Sequence, residues 1–349
     1  MTIRHAVLLV GGRGTRLWPL TATVPKGLLP LAGVPFVEYQ LGRLADAGVE
    51  QAWLAIGTEH QSTWERYAAQ REGSPAVSVS VEQDRLDTAG PVTQLLDQLD
   101  DTFFVLNGDV VFDTALLPFM ESAPDAGAVL ALARVDDPSA YGVVVTDSEG
   151  MVDRFVEKPS REEAPTDTVN AGVYILNRRA FDGFEVGALS FEQRVFPELV
   201  ARHELAGVVV EGSWLDIGTP DLWLESHAAV LGGRTGFGGA DGHITAESAL
   251  VGGEVLGSWS WVGAGATVEK GATIEEAIIL DGAIVREGAR VSQAVVGWGS
   301  EVGVGAEVSG MALVGEGCVI GAGCELAGGS RVAPGTHLAP GSITVAPPS

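Results

Sequence analysis

Between residues 5 and 231, short apolar or β-branched runs alternate with longer stretches of helical period. This pattern predicts a mostly parallel sheet covered by helices. The runs place strands at 5–10, 51–56, 77–81, 102–106, 128–134, 142–146, 152–157, 170–176 and 207–211. The segment 35–47, PFVEYQLGRLADA, carries Pro35 in its first turn, puts Phe36, Tyr39, Leu41 and Leu44 mainly on one side and stops before Gly48, so it predicts the first helix. Past residue 242 the period becomes six. Leu250, Leu256, Val262, Val268, Ile274 and Leu280 are evenly spaced, and Val296, Val302, Val308, Val314, Ile320, Leu326, Val332 and Leu338 continue the step; Ile279, Val285 and Val291 keep it one register off. A hexad turns one aliphatic side chain inward on each flat face of a three-sided parallel β-helix, with glycines and small residues at the corners. At three hexads per coil, the tail holds about five coils.

Between the two patterns, LGGRTGFGGADG at 231–242 has six glycines in twelve residues and no sustained period. The chain therefore reads as a first domain at 1–232, a glycine-rich linker at 233–245 and a repeat domain at 246–349. The fold class is α/β: a Rossmann-like, mixed, mostly parallel sheet followed by a left-handed parallel β-helix.

Charge narrows the partners. With 21 Lys and Arg against 46 Asp and Glu, the formal net charge is −25, which works against nucleic acid or an anionic membrane as a partner. A phosphate-bearing ligand must then be small and be met by a few local cations. The longest apolar stretch near the start, 6–10, is too short for a signal-peptide core or a membrane span, so a cytoplasmic protein is expected. The two cysteines, Cys318 and Cys324, lie in the repeat and are expected to be packing thiols. Lysine is scarce: Lys26, Lys158 and Lys270 stand against 18 arginines. A lysine kept in such a composition is a candidate for a site that needs a compact ammonium.

Two of these lysines fall in motifs. The first predicted strand runs into Gly11-Gly12-Arg13-Gly14-Thr15-Arg16, and a glycine turn after a strand aims several backbone N–H groups at one point, as phosphate binding requires. Neither a P-loop nor a dinucleotide fingerprint fits, since Leu17 stands where the latter needs its third glycine. The stretch GGRGTRLWPLT from Gly11, followed by PKGLLP from Pro25 to Pro30, resembles the signature of the sugar-1-phosphate nucleotidyltransferases, or nucleotide-sugar pyrophosphorylases.

That resemblance extends through the first domain, because later motifs recur in order. It implies that Leu8, Gly11, Gly12, Arg13, Gly14, Thr15, Glu82, Asp87, Thr88 and Gly108 surround a nucleoside triphosphate, with Arg16 and Lys26 on its phosphates. Asp109, in Leu-Asn-Gly-Asp, and Asp216, in Trp-Leu-Asp-Ile-Gly-Thr-Pro, correspond to the family's Mg²⁺ ligands. Gly142, Glu157, Lys158 and Asn170 map onto recognition of the sugar phosphate, with Lys158 pairing the phosphate. One departure stands out: the family's Leu-Gly-Thr-Ala-Gly is Leu86-Asp87-Thr88-Ala89-Gly90 here. A charge at Asp87 could crowd the base, or its carboxylate could accept from a base N–H, so base choice is open.

The implied reaction is in-line attack by a sugar-1-phosphate oxygen on the α-phosphorus of a triphosphate, releasing pyrophosphate. The motifs VDRFVEKP, NAGVYIL, FEQRVFPELV and WLDIGTP look most like the mannose-1-phosphate guanylyltransferase branch, which forms GDP-mannose and also carries a hexapeptide tail. Thymidylyl or uridylyl transfer to glucose-1-phosphate, and guanylyl or adenylyl transfer to a heptose-1-phosphate, are alternatives. So, in another class, is a non-catalytic regulatory paralogue. An acyltransferase tail would call for a histidine base, and the tail offers only His243 and His337. A homo-oligomer, dimer to tetramer, using the β-helix is the expected assembly.

Overall fold

The computed structural model describes residues 2–113, 115–123, 125–237, 243–246 and 248–344. The chain divides into two compact units, Met1–Gly12 with Val37–Trp214, and Arg13–Phe36 with Leu215–Ser349.

In the first unit the strands are β1 (His5–Leu9), β2 (Gln51–Gly57), β3 (Ala76–Glu82), β4 (Thr102–Asn107), β5 (Ala128–Arg134), β6 (Gly142–Thr146), β7 (Val152–Glu157), β8 (Thr168–Asn177) and β9 (Leu205–Val209). They form one sheet with the path β7-β6-β8-β4-β1-β2-β3, while β5 pairs with β8 and β9. Pairing is parallel along β4-β1-β2-β3 and between β9 and β5, and antiparallel at every contact of β8. The central parallel strands β1 and β4 are apolar on both faces, as strands buried on both sides must be; Ala6, Val7 and Leu8 of β1 are fully buried, whereas the edge strand β3 alternates with Ser78 and Ser80. On one face Tyr174, Phe181, Phe191 and Phe196 interlock at centroid separations of 5.2–6.1 Å.

Several boundaries move; the strands expected at 5–10, 51–56, 77–81 and 102–106 change by a single residue at one or both ends. The strand expected at 207–211 is β9 at Leu205–Val209, because its register starts at Leu205 opposite Ala128; the strand expected at 170–176 extends to Thr168 and Asn177. The first helix, α1, is Phe36–Asp46, with Pro35 in a preceding hairpin strand rather than in the first turn. Its buried stripe is Phe36, Val37, Gln40, Leu41 and Leu44, so Tyr39 leaves the core face and a glutamine enters it. A second helix, α2 (Gln61–Gln70), packs beside β3.

In the second unit, helix α3 (Pro220–Leu231) is opened by Thr219, whose Oγ1 accepts from the Leu222 N–H, and ends at Gly232. Of the linker expected at 233–245, residues 238–242 lie outside the described residues. His243–Thr245 already pairs with Ser260–Val262, so the repeat begins before residue 246.

The repeat is a left-handed β-helix of three six-stranded parallel sheets, hence six coils among the described residues rather than about five. Pairing corrects the inward set: Val251 lies opposite Val268 and Val255 opposite Ile274, so Leu250 and Leu256 face outward, and Ile279, not Leu280, lies opposite Val262. Exposure agrees, with Leu250 69% and Leu256 43% exposed against 0% for Ile279. The slip has a local cause. Ile274 to Ile279 and Val291 to Val296 are steps of five, taken through corner residues Glu276 (φ 48°) and Gln293 (φ 46°) in left-handed backbone. Two residues before most inward aliphatics stands a small corner residue such as Ala266, Ala272 or Ala283. Cys318 and Cys324 take this slot, buried and unpaired, with each thiol donating to a carbonyl of the next coil, Ala333 and Ala339 respectively. Lys270 is exposed at a corner.

One sheet of the β-helix is apolar on both sides over four successive coils, until Arg331 takes the outward position opposite Leu313. Its outward residues Trp261, Ile278, Val295 and Leu313 are 9%, 0%, 0% and 0% exposed, whereas the outward Arg290, Glu307 and Glu325 of another sheet are solvated. Doubled aliphatics at 278–279, 295–296 and 313–314 are the sequence trace of that covered face.

Candidate active site

In the first unit, the carboxyl ends of β1, β2, β3 and β4 carry Gly11, Gly57, Glu82 and Asn107-Gly108-Asp109, where parallel sheets present ligands. Leu8 is fully buried with Leu54 and Leu106 beside it, so only its backbone could serve a ligand. Gly11 follows at the strand end, where an added Cβ would meet the Gly57 nitrogen at 3.0 Å and Glu82 Oε1 at 3.1 Å; Gly12 opens onto free space. Glu82 accepts from the Leu86 N–H at 3.2 Å, and burial raises its carboxyl above the usual range.

The segment after Leu86 is strapped down. Ala89 and Gly90 N–H groups donate to the Leu189 carbonyl at 2.8 and 3.0 Å, and Leu189 donates back to the Leu86 carbonyl. Thr88 is absorbed by this strap: its hydroxyl donates to Glu192 at 2.8 Å and accepts from the Phe191 N–H at 2.9 Å. Asp87 sits between them, exposed, at φ 64°. This is left-handed backbone, open to glycine without cost and tolerated by Asp better than by most residues. The family glycine and this aspartate therefore answer the same conformational demand.

Asp109 is placed by its neighbours. Asn107 ends β4 opposite Leu9, and the Gly108 N–H donates to the Leu9 carbonyl at 3.0 Å. A Cβ on Gly108 would lie 2.6 Å from that same oxygen, so no larger residue fits. Gln40, fully buried on α1, donates its Nε2 to both the Asn107 and Val110 carbonyls at 2.7 Å, stapling the two ends of the turn that bears Asp109. Sequence reasoning missed Gln40, although a glutamine within an apolar helical stripe was its signal.

The expected sugar-phosphate residues converge. Glu157 lies opposite Gly142 across β6 and β7, and a Cβ on Gly142 would touch the Phe155 ring and Glu157 Oε2. Val169, next to Asn170, pairs with Val143. Lys158 takes φ 45°, donates its N–H to the Tyr141 carbonyl at 3.1 Å, and brings its ammonium 3.3 Å from Glu157 Oε1, with both side chains exposed. Asn170 Oδ1 accepts from the Gly172 N–H, and its Nδ2 donates to the Tyr174 hydroxyl, each at 3.0 Å; one proton and one lone pair remain for a ligand. Trp214, which the sequence reading left without a role, donates to the Ala171 carbonyl at 3.2 Å and stands edge-on to Tyr141 at 4.9 Å.

The second unit holds the rest. Loop 13–36 folds through three single turns, Thr15–Leu17, Leu20–Ala22 and Lys26–Leu28, with Leu17, Leu20 and Leu29 fully buried. Gly14, at φ 60°, lies against Thr21 and Lys26, and its carbonyl accepts from the Thr21 hydroxyl at 3.0 Å. Lys26 is 9% exposed, while Arg13, Thr15 and Arg16 are exposed. Asp216 accepts from the Gly218 N–H; a Cβ on Gly218 would meet Asp216 Oδ1 at 2.7 Å and Arg16 Nη2 at 3.0 Å. Gly218 thus lets the guanidinium and the carboxylate approach the same backbone, and Thr219, not Asp216, caps α3.

Among the described residues, no group of three or more His, Cys, Asp or Glu could hold a metal ion. The donor chemistry of Asp109 and Asp216 nonetheless suits Mg²⁺, which binds through one or two carboxylates and keeps waters and substrate phosphates as its other ligands. No helix among the described residues is long and apolar enough to cross a membrane.

Strand-end glycines and a strand-end carboxylate in the first unit, and a glycine turn packed against a buried lysine in the second, are features of the nucleotidyltransferase class. A family model described as nucleotidyl transferase matches residues 5–232, and the chain belongs to that family; a model described as the GMPPB C-terminal domain matches 241–339. The mannose-1-phosphate guanyltransferase of Gibberella zeae is 37% identical over 260 residues, 72% of this chain and 70% of that protein. That of Candida albicans is 39% identical over 236 residues, 64% of each chain, so this chain spans just under two thirds of that relative's length. Among solved structures, HddC from Yersinia pseudotuberculosis complexed with GMP-PN superposes with a TM-score of 0.55 at 26% identity, covering 64% of this chain and 98% of that one.

Proposed function

We propose that the chain joins mannose-1-phosphate to GTP, forming GDP-mannose and pyrophosphate. The observation that carries this reading is the similarity to guanyltransferases named for mannose-1-phosphate, together with a match to the GMPPB C-terminal model over the repeat. The GMP-PN complex of a structural relative supports a guanine nucleotide.

Two polyanions must meet, so the catalytic task is alignment and charge neutralisation. Gly11, Gly12, Arg13, Gly14 and Thr15 cradle the triphosphate, and Arg16 with Lys26 face the departing pyrophosphate. Burial suits Lys26 to this task, because a cation in a poorly solvated loop is worth more to a phosphate than one in water. Glu157 accepts from sugar hydroxyls while holding Lys158, whose exposed ammonium is handed to the incoming phosphate. Asn170 and the Gly142 backbone orient the ring. Asp109 and Asp216 each serve as a Mg²⁺ ligand, and bound Mg²⁺ supplies charge neutralisation at the reacting phosphates. The β-helix is assigned to self-association.

The test is a panel. Purified protein with Mg²⁺ releases pyrophosphate from GTP only when mannose-1-phosphate is added; silence with all five common triphosphates against hexose and heptose phosphates refutes the enzyme reading. A faster rate with another pair corrects the substrates and leaves the reaction class in place.

A further inference from the structure

Loop 13–36, which bears Arg16 and Lys26, closes in a hairpin of Pro30–Leu31 and Val34–Pro35, and its turn, Ala32-Gly33, is left-handed at φ 49° and 82°. The turn meets the β-helix. A Cβ on Gly33 would lie 2.2 and 2.3 Å from Cη2 and Cζ2 of Trp261, so at this point the hairpin touches the indole with backbone alone. Trp261 alternates with the inward Val262 on strand Ser260–Val262, an outward position, and is still only 9% exposed. From the other side, the fully buried Trp223 of α3 donates its Nε1 to the Pro30 carbonyl at 3.2 Å. His227, one turn along α3, stacks edge-on to Trp223 at 5.1 Å and faces Trp259 at 6.2 Å. The hairpin is therefore held by indoles from α3 and from the second coil of the repeat.

The path from this grip to the cationic residues is short. The Phe36 N–H donates to the Leu29 carbonyl at 3.0 Å, the Leu29 N–H to the Lys26 carbonyl at 3.1 Å, and Lys26 Cβ lies 3.1 Å from the Cβ position of Gly14. Every link is backbone or a tightly packed stem.

We infer that Trp261 is a positioning residue for the triphosphate: the second coil of the β-helix is the platform on which the nucleotide loop is set. This rests on the proposed nucleotidyl transfer. It makes the repeat a component of the triphosphate site in addition to any role in assembly. Glu157, Lys158 and Asn170 belong to the other unit, and none is tied to the hairpin by these contacts, so the platform acts on one substrate and not the other.

The experiment uses the full chain with Trp261→Ala, Trp261→Phe and Gly33→Ala, varying triphosphate and sugar phosphate separately. Trp261→Ala lowers kcat/KM for the triphosphate by ten- to a hundredfold, the scale of an ångström-sized displacement of a charge that must align the reactants, while KM for the sugar phosphate stays within twofold. Gly33→Ala reproduces that split from the loop side without opening a cavity in the β-helix, and Trp261→Phe recovers most of the loss. A purely structural role is the overturning result: the melting temperature drops, the active fraction falls, and both KM values are unchanged. Calorimetric titration of GTP alone into wild type and Trp261→Ala reads the same effect without turnover; equal affinity overturns the platform. Absence of turnover by wild type with every substrate pair overturns the functional reading instead.

Discussion

Gln40→Leu isolates the device that holds Asp109. Gln40 is fully buried and spends both Nε2 protons on the Asn107 and Val110 carbonyls at 2.7 Å, while its Oε1 has no partner among the described residues. Each lost bond costs about 1–1.5 kcal/mol, and removing the orphaned oxygen returns about 1 kcal/mol, so the net destabilisation is about 1–2 kcal/mol. The loss of activity is larger, because the turn between those carbonyls carries Asp109, and a misplacement of about 1 Å at a reacting centre costs roughly a hundredfold. Gln40→Glu keeps the shape but points carboxylate oxygens at two carbonyl oxygens. Buried there, its pKa in the folded state lies above the unfolded value, so its stability deficit is absent below the unfolded pKa and grows as pH rises through the folded one. Pyrophosphate release measured against Mg²⁺ concentration, alongside urea midpoints, separates the two effects: Gln40→Leu shows a higher Mg²⁺ requirement and a lower kcat with a modest midpoint shift. A variant with the wild-type Mg²⁺ dependence and kcat would falsify the stapling argument, whatever its stability.

Asp87→Gly leaves stability within about 1 kcal/mol, since glycine fits φ 64° without strain but costs unfolded-state entropy, whereas Asp87→Ala loses about 1 kcal/mol. If the triphosphate ranking also stays unchanged in Asp87→Gly, the aspartate serves the backbone and does not choose the base. Burial lowers the His227 imidazole from its ordinary value of 6.5 to about 4, so its neutral form supports the fold above pH 6.5 and that support is lost as pH falls through 4. Between pH 7 and pH 5 wild type loses about 2 kcal/mol more than His227→Leu; parallel urea midpoints across that range would refute the assignment.

How much of this was legible beforehand depends on how far apart the interacting residues lie. The sheet strands, the hexad and the strand-end glycine turn could be read because each is a local pattern: alternation and run length for strands, a period of six for coils, a glycine run at the end of an apolar run for the turn. The one-residue slip at Glu276 was visible in the spacing of Ile274 and Ile279, but not its consequence, because only pairing shows that Val251 and Val255 turn inward while Leu250 and Leu256 do not. The left-handed backbone at Asp87 could not be read at all. It is imposed by the strap through Leu189 and Thr88, a hundred residues away, and a residue's φ is invisible until such partners are known.

The same distance hides how the phosphate loop is supported. Gly33 reads as an ordinary hairpin glycine and Trp261 as an oversized residue in a hexad, and no local rule joins two positions so far apart. Their contact changes what the repeat means. A β-helix that only assembled subunits could carry polar outward residues on every sheet, as Arg290, Glu307 and Glu325 do on one. Here Trp261, Ile278, Val295 and Leu313 are apolar, outward and buried on another, which a lone solvated repeat would not tolerate. On that face Trp261 has a direct contact with the nucleotide loop, through Gly33, so a charge placed at Trp261 should disturb triphosphate handling before it disturbs the stacking of coils, which rests on the inward residues of the repeat.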